Sequence, residues 1–107
     1  MNQYLGEFEE VVMLTVAVLY TEAYGIAIAD EIEKRLGRKV SVGALQTVLK
    51  RLEKKGLLVS ALGEATKVRG GKRKRFFKVT PAGQQMLEAV KTQRIALWDA
   101  IPELTFQ

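Results

Sequence analysis

The sequence predicts a mainly α-helical fold with one small β-hairpin. Three successive stretches place apolar residues at helical spacing, with Gly25, Gly37 and Gly56 between or after them. A short run of crowded apolar residues without helical spacing, Leu57 to Leu62, and an aromatic and β-branched run, Arg75 to Thr80, flank a basic stretch that contains Gly70-Gly71. Thr80-Pro81 then opens a last helical pattern that continues almost to the end of the chain.

In the first stretch Glu7, Glu9 and Glu10 suit a helix N-terminus, and Val11, Val12, Leu14, Val16, Ala17 and Leu19 follow on faces expected to be largely buried. Gly25 opens the second, Ile26 to Leu36, with Ile28, Ala29, Ile32 and Leu36 as its apolar face and Gly37 as its stop. Ser41 is placed to cap the third, whose buried stripe is Leu45, Val48, Leu49 and Leu52, and Gly56 ends it. Leu57 to Leu62 and Arg75 to Thr80 read as the strands of a hairpin with a long tip. The last helix runs to about Ala100, because Ile101 precedes Pro102 and is driven out of the helical region. Three helices, a hairpin and a further helix in that order form a winged helix-turn-helix plus a C-terminal helix, divided at residues 1–80 and 81–107.

Composition narrows the chemistry. With no Cys and no His, the chain has no thiolate or imidazole for a metal and no imidazole base for catalysis, so no catalytic residue, metal site or cofactor is expected. The longest apolar run, Val11 to Tyr20, is about half of what a bilayer crossing requires, and acids precede it. A cytosolic, non-enzymatic protein of one compact unit, with no membrane partner, is the expectation.

Charge supplies the partner. Met1 to Glu33 carries seven acids and no base, whereas Lys34 to Lys78 carries fifteen bases and two acids. Such a segregated excess is the footprint of a surface that meets polyphosphate. On a wheel of about 100° per residue, Thr47, Lys50 and Lys54 fall within roughly 40° of Gly43, opposite the leucine and valine stripe. Ser41, Gly43, Ala44, Gln46 and Thr47 are small or neutral and let the helix approach base edges of double-stranded DNA, while Lys50, Arg51, Lys54 and Lys55 follow where phosphates lie. Lysines also suit the C-terminus of any helix, but the hairpin adds Lys67, Arg69, Lys72, Arg73, Lys74, Arg75 and Lys78, seven bases in twelve residues. Of these, Arg69, Lys72, Arg73 and Lys74 are the expected DNA contacts of the tip. Phe76 and Phe77 suggest a single-strand stacking platform, yet a small domain needs aromatics inside, and Phe77 with Val79 is expected beneath the third helix.

Glu22-Ala-Tyr-Gly25, Ser41-Val-Gly-Ala-Leu45, Leu49-Lys-Arg-Leu-Glu-Lys-Lys-Gly-Leu57, Arg69-Gly-Gly-Lys-Arg-Lys-Arg-Phe-Phe77 and Val79-Thr-Pro-Ala-Gly83 together resemble the PadR family of bacterial transcriptional regulators. The resemblance implies a winged-helix repressor that binds a palindromic operator as a homodimer through its C-terminal helical region, and it implies release by a small molecule in many members. Gln46 stands where family members usually carry tyrosine, so that tyrosine's role does not transfer. The single C-terminal helix resembles the compact branch of the family.

Independently, Gly83, Leu87, Val90, Arg94, Leu97, Ile101 and Leu104 step by four and three, with Trp98 beside them. Leu87, Val90, Leu97, Trp98 and Ile101 are read as a dimer interface and Trp98 also as a candidate floor for a small aromatic effector, with Arg94 at the rim or reaching Glu88 or Asp99. The competing reading is a winged-helix module that binds an acidic protein or RNA without reading sequence. The placement of bases along the third helix speaks against it.

Overall fold

The computed structural model describes residues 4–63 and 73–107. Helix α1 spans Glu7–Leu19, and the Glu9 carboxylate reaches back to accept the Gly6 N–H at 2.8 Å, which satisfies one donor that a helix start leaves open. Val12, Met13 and Val16 are buried where α1 packs on the next two helices and on the second strand of the hairpin. Those neighbours occupy one side only. Leu14 and Val18, on the other side, are exposed, so the expectation of a largely buried helix holds for half of its circumference.

A 3-10 turn, Tyr20–Glu22, leads into α2, Gly25–Leu36. Ile28 and Ile32 are fully buried and Ala29 packs beside them, but Leu36 is 58% exposed because the last residue of α2 projects past the end of the core. Gly37 adopts φ 64°, the left-handed conformation that a helix stop favours, and donates to the Glu33 carbonyl at 2.8 Å.

Helix α3 spans Val42–Lys54, and Ser41 caps it by accepting the Ala44 N–H at 3.1 Å. Leu45, Val48, Leu49 and Leu52 are buried as their spacing requires. The helix closes in a Schellman motif in which Leu57 N–H donates to Leu52 O and Gly56 N–H to Glu53 O, both at 3.0 Å, with Gly56 at φ 78°. Leu52 and Leu57 meet in the core and fix the direction in which the chain leaves α3.

Strands β1, Leu58–Leu62, and β2, Arg75–Val79, pair antiparallel, with Leu58 opposite Val79, Ser60 opposite Phe77 and Leu62 opposite Arg75. Leu58 and Phe77 are buried, so the positions that alternate with them turn outward. The expectation for Phe77 is met in burial, although β2 packs on α1 and the 3-10 turn while β1 packs on α3. Phe77 N–H donates to Ala23 O at 2.8 Å and anchors the hairpin to that turn.

Helix α4 spans Pro81–Ala100, with the Thr80 hydroxyl accepting the Gly83 N–H at 3.0 Å and donating to Gly56 O at 2.7 Å. Its first half lies on the core through Gly83, Met86 and Leu87. Its second half leaves the core, and the 61 × 33 × 21 Å extents and 16.4 Å radius of gyration reflect this, against about 13 Å for a compact chain of this length. Ile101 ends the helix in an extended conformation before Pro102, and a 3-10 turn, Glu103–Phe106, closes the chain.

Candidate nucleic-acid interface

The outward side of α3 presents Ser41, Gly43, Ala44, Gln46, Thr47, Lys50, Arg51 and Lys54, all exposed. A Cβ at Gly43 would meet nothing within 4 Å, so this turn faces open space. Thr47, itself exposed, donates its hydroxyl to the Gly43 carbonyl at 3.0 Å. The Gln46 amide lies across the start of α2, where its Nε2 sits 3.0 Å from the place a Cβ would take on Gly25.

Bases in the hairpin are arranged around the same end of the molecule. Arg73 donates from Nε to Gly63 O at 2.7 Å, and the Lys74 ammonium stands 4.2 Å from the centre of the Tyr24 ring. Tyr24 in turn meets Phe76 edge to face, with ring centres 5.6 Å apart. A hollow of about 190 Å³ between α3 and the hairpin is walled by Tyr24, Gln46, Lys74 and Arg75. Arg69 and Lys72, also expected at this surface, lie outside the described residues, as do Lys67, Gly70 and Gly71.

Two bases at the end of α3 also face an acid of α1. Lys55 turns inward and donates to the buried Glu9 carboxylate at 2.9 Å, and the Arg51 guanidinium, half exposed, stands 4.0 Å from the same oxygen. Burial alone would push the Glu9 carboxyl up. The Gly6 N–H, the Lys55 ammonium and the nearby Arg51 outweigh it and hold the group below the ordinary carboxylate range. Glu9 is therefore charged and ties the end of α3 to α1.

The sequence reading did not single out Glu53, Ser60 or Tyr24 and did not rank Arg75 among the contacts. For Arg75 a signal existed: strand alternation places it on the same hairpin face as Phe77 and Ser60, and Ser60 is the residue that reaches α3. Among the described residues no group of three or more Asp or Glu side chains is placed to hold a metal ion.

On α4 the expected interface residues divide. Leu87 packs against the chain's own core, Val90 and Ile101 are half-buried, and Leu97 and Trp98 are 71% and 67% exposed. Arg94 reaches neither Glu88 nor Asp99. Its guanidinium pairs with Glu10 at 3.2 Å, because α4 crosses the first turn of α1 and an acid on a neighbouring helix lies nearer than one on its own. No single described helix is long and apolar enough to cross a membrane.

Comparison with known proteins follows the same lines. The model of the PadR-like family of transcriptional regulators matches residues 13–89. A PadR-like transcription factor from Bacteroides fragilis superposes with a TM-score of 0.72 at 27% identity, over 86% of this chain and 84% of that one. A PadR family regulator from Eggerthella lenta gives 0.69 at 28% identity over 92% and 85%, and one from Clostridium difficile 0.68 at 25% over 86% and 92%. None of the curated proteins matches the sequence. An exposed, acid-poor recognition-type helix beside a basic hairpin, on a scaffold matched along most of its length, has one reading: the chain belongs to the PadR-like family of transcriptional regulators, DNA-binding proteins and not enzymes.

Proposed function

We propose that the protein is a cytoplasmic repressor that binds a palindromic operator as a homodimer. Residues 1–80 are its DNA-binding part. Helix α3 of each protomer enters the major groove with Ser41, Gly43, Ala44, Gln46 and Thr47 toward base edges, while Lys50, Arg51, Lys54, Arg69, Lys72, Arg73 and Lys74 meet phosphates. The exposure of the α3 residues, and the lack of any acid among the described residues that wall the hollow beside them, support this docking.

The homodimer rests on one observation. All of residues 91–100 are exposed, and that half-helix carries Ile95, Leu97 and Trp98 away from the core. A helix that leaves its own core with an apolar side suits a twofold partner, and a dimer places two recognition helices about one DNA turn, roughly 34 Å, apart. In this reading residues 81–107 are the dimerisation part and Trp98 is its anchor. A second role for Trp98 is as floor for a flat aromatic effector that releases DNA, and a hollow of about 650 Å³ between α1 and α4 lies beside it. Met86, Val90 and Leu97 line that hollow, and Trp98 follows directly in sequence without entering its wall.

Trp98→Ala tests both roles. An anchor predicts a shift toward monomer in sedimentation together with weaker DNA binding, since two half-sites are no longer linked. An effector floor predicts a mutant that stays dimeric and binds DNA but loses fluorescence quenching by planar aromatic compounds. A dimeric mutant, with no quenching in the wild type by any such compound, refutes both.

A further inference from the structure

Helix α3 carries one acid, Glu53, among Lys50, Arg51, Lys54 and the adjoining Lys55. On Coulomb's law alone, an exposed carboxylate on a helix that meets phosphate weakens binding. The structure gives this one an occupation. Glu53 accepts the Ser60 N–H at 3.2 Å and the Ser60 hydroxyl, whose oxygen is 2.8 and 3.0 Å from its two oxygens. Ser60 Oγ in turn accepts from Arg75 Nη1 at 3.0 Å. The relay crosses three elements, from α3 through β1 to β2.

Its position follows from the register. Ser60 pairs with Phe77, and Arg75 stands two residues before Phe77, so all three share one face of the hairpin, from which Ser60 reaches Glu53 on α3. On α3, Gln46 and Glu53 are seven residues apart and so fall within about 20° of each other around the helix axis. These two residues mark the side of α3 along the hairpin, and Arg75 belongs to the crease between them, where it lines the hollow with Gln46, Lys74 and Tyr24. When a helix occupies the major groove and the hairpin tip the neighbouring minor groove, one sugar-phosphate strand separates the two grooves. In the docking proposed above, with α3 in the major groove, the strand that borders that groove on the hairpin side passes the crease.

Resting on the DNA-binding reading above, we propose that Arg75 grips a phosphate of that strand and that Glu53 is a positioning residue, acting through Ser60 to hold the guanidinium in place. A guanidinium presents a planar fork of five N–H donors that matches phosphate geometry, and the Ser60 contact uses one of them. Holding the side chain before DNA arrives reduces the ordering cost at binding.

The test uses the full chain, a duplex of mixed sequence, and the variants Arg75→Ala, Glu53→Ala, Glu53→Gln, Ser60→Ala and Glu53→Ala/Arg75→Ala, with thermal melts alongside. Arg75→Ala is expected to weaken binding about tenfold and to flatten the salt slope by about 0.9 per protomer, the signature of one lost phosphate contact. Glu53→Ala and Ser60→Ala are expected to weaken it several-fold, the first despite removing a negative charge. Glu53→Gln keeps an oxygen for Ser60 and drops the charge, so it binds at least as tightly as the wild type. With Arg75 already replaced, Glu53→Ala loses its harmful effect. Tighter binding by Glu53→Ala overturns the proposal, as does a loss of the same size with and without Arg75, which marks a folding defect. A wild type that binds no duplex at all refutes the DNA-binding reading itself and is distinct from either result.

Discussion

Gly83 is the position where the packing of α4 is most exposed to a single methyl group. A Cβ there would stand 2.3 Å from the Leu57 carbonyl oxygen, 2.8 Å from Val79 Cγ1 and 3.1 Å from Met13 Cε. Helix propensity alone favours Gly83→Ala by about 1 kcal/mol. The oxygen that blocks it belongs to backbone, and the same carbonyl accepts the Thr80 N–H at 3.1 Å, so it cannot swing aside. Relief requires α4 to move outward by close to an ångström, which strips Met86 and Leu87 from the core. Overpacking of this kind costs about 1–3 kcal/mol, and a rigid backbone partner puts it at the upper end, for a net loss of about 1–2 kcal/mol. At about 4–8 °C per kcal/mol for a chain of this size, the midpoint of thermal unfolding falls by about 4–16 °C. Circular dichroism melts of both proteins at equal protomer concentration measure this, because an assembling protein's midpoint depends on concentration. A variant as stable as the wild type, or more so, refutes the close-packing argument and leaves propensity in charge.

DNA binding should be steeply salt-dependent: with on the order of six to ten phosphates neutralised per dimer, raising salt from about 50 to 200 mM weakens it roughly 10³-fold or more, and a flat titration assigns the basic segment another purpose. Gln46→Ala or Thr47→Ala should reduce discrimination between an enriched duplex and a random one by about 1–3 kcal/mol, whereas Arg73→Ala with Lys74→Ala weakens both alike, and the opposite pattern inverts the docking. Because the folded state holds the Glu9 carboxyl below its unfolded value, the stability it contributes is full above the ordinary carboxylate range and is lost as pH falls through the folded value. Glu9→Gln should therefore cost about 1–3 kcal/mol near neutral pH, and its melting curve should converge on the wild type's in acid, while a pH-independent gap contradicts the assignment.

The elements were legible wherever a local rule decides them. Ser41 and Thr80 cap helices, Gly37 and Gly56 stop them, and Ile101 before Pro102 ends α4, all through groups within a few residues of one another. The stripe Leu45, Val48, Leu49 and Leu52 was readable for the same reason. What escaped depends on which elements become neighbours. Arg94 pairs with Glu10 across 84 positions and Lys55 with Glu9 across 46, and helical spacing carries no trace of either. Leu36 and Leu14 fit the apolar pattern and are nonetheless exposed, because periodicity defines a face but not how far the neighbouring elements extend over it. At the interface, burial and strand register decided the matter for Lys55 and Arg75, the first drawn inward and the second brought to the crease.

The three acids that open α1 each bind a base from a different element: Glu7 takes Arg38, Glu9 takes Lys55 and Glu10 takes Arg94. Lys50 and Lys54 form no ion pair among the described residues. Internal pairing thus neutralises bases around α1 and leaves the charge of Lys50 and Lys54 concentrated on the outward side of α3. A molecule sorted in this way carries a permanent charge asymmetry, and in the field of a polyanion it rotates before it touches. Encounters then begin with α3 forward more often than chance provides, which raises the association rate at low ionic strength and lets that advantage fade as salt shortens the reach of the field.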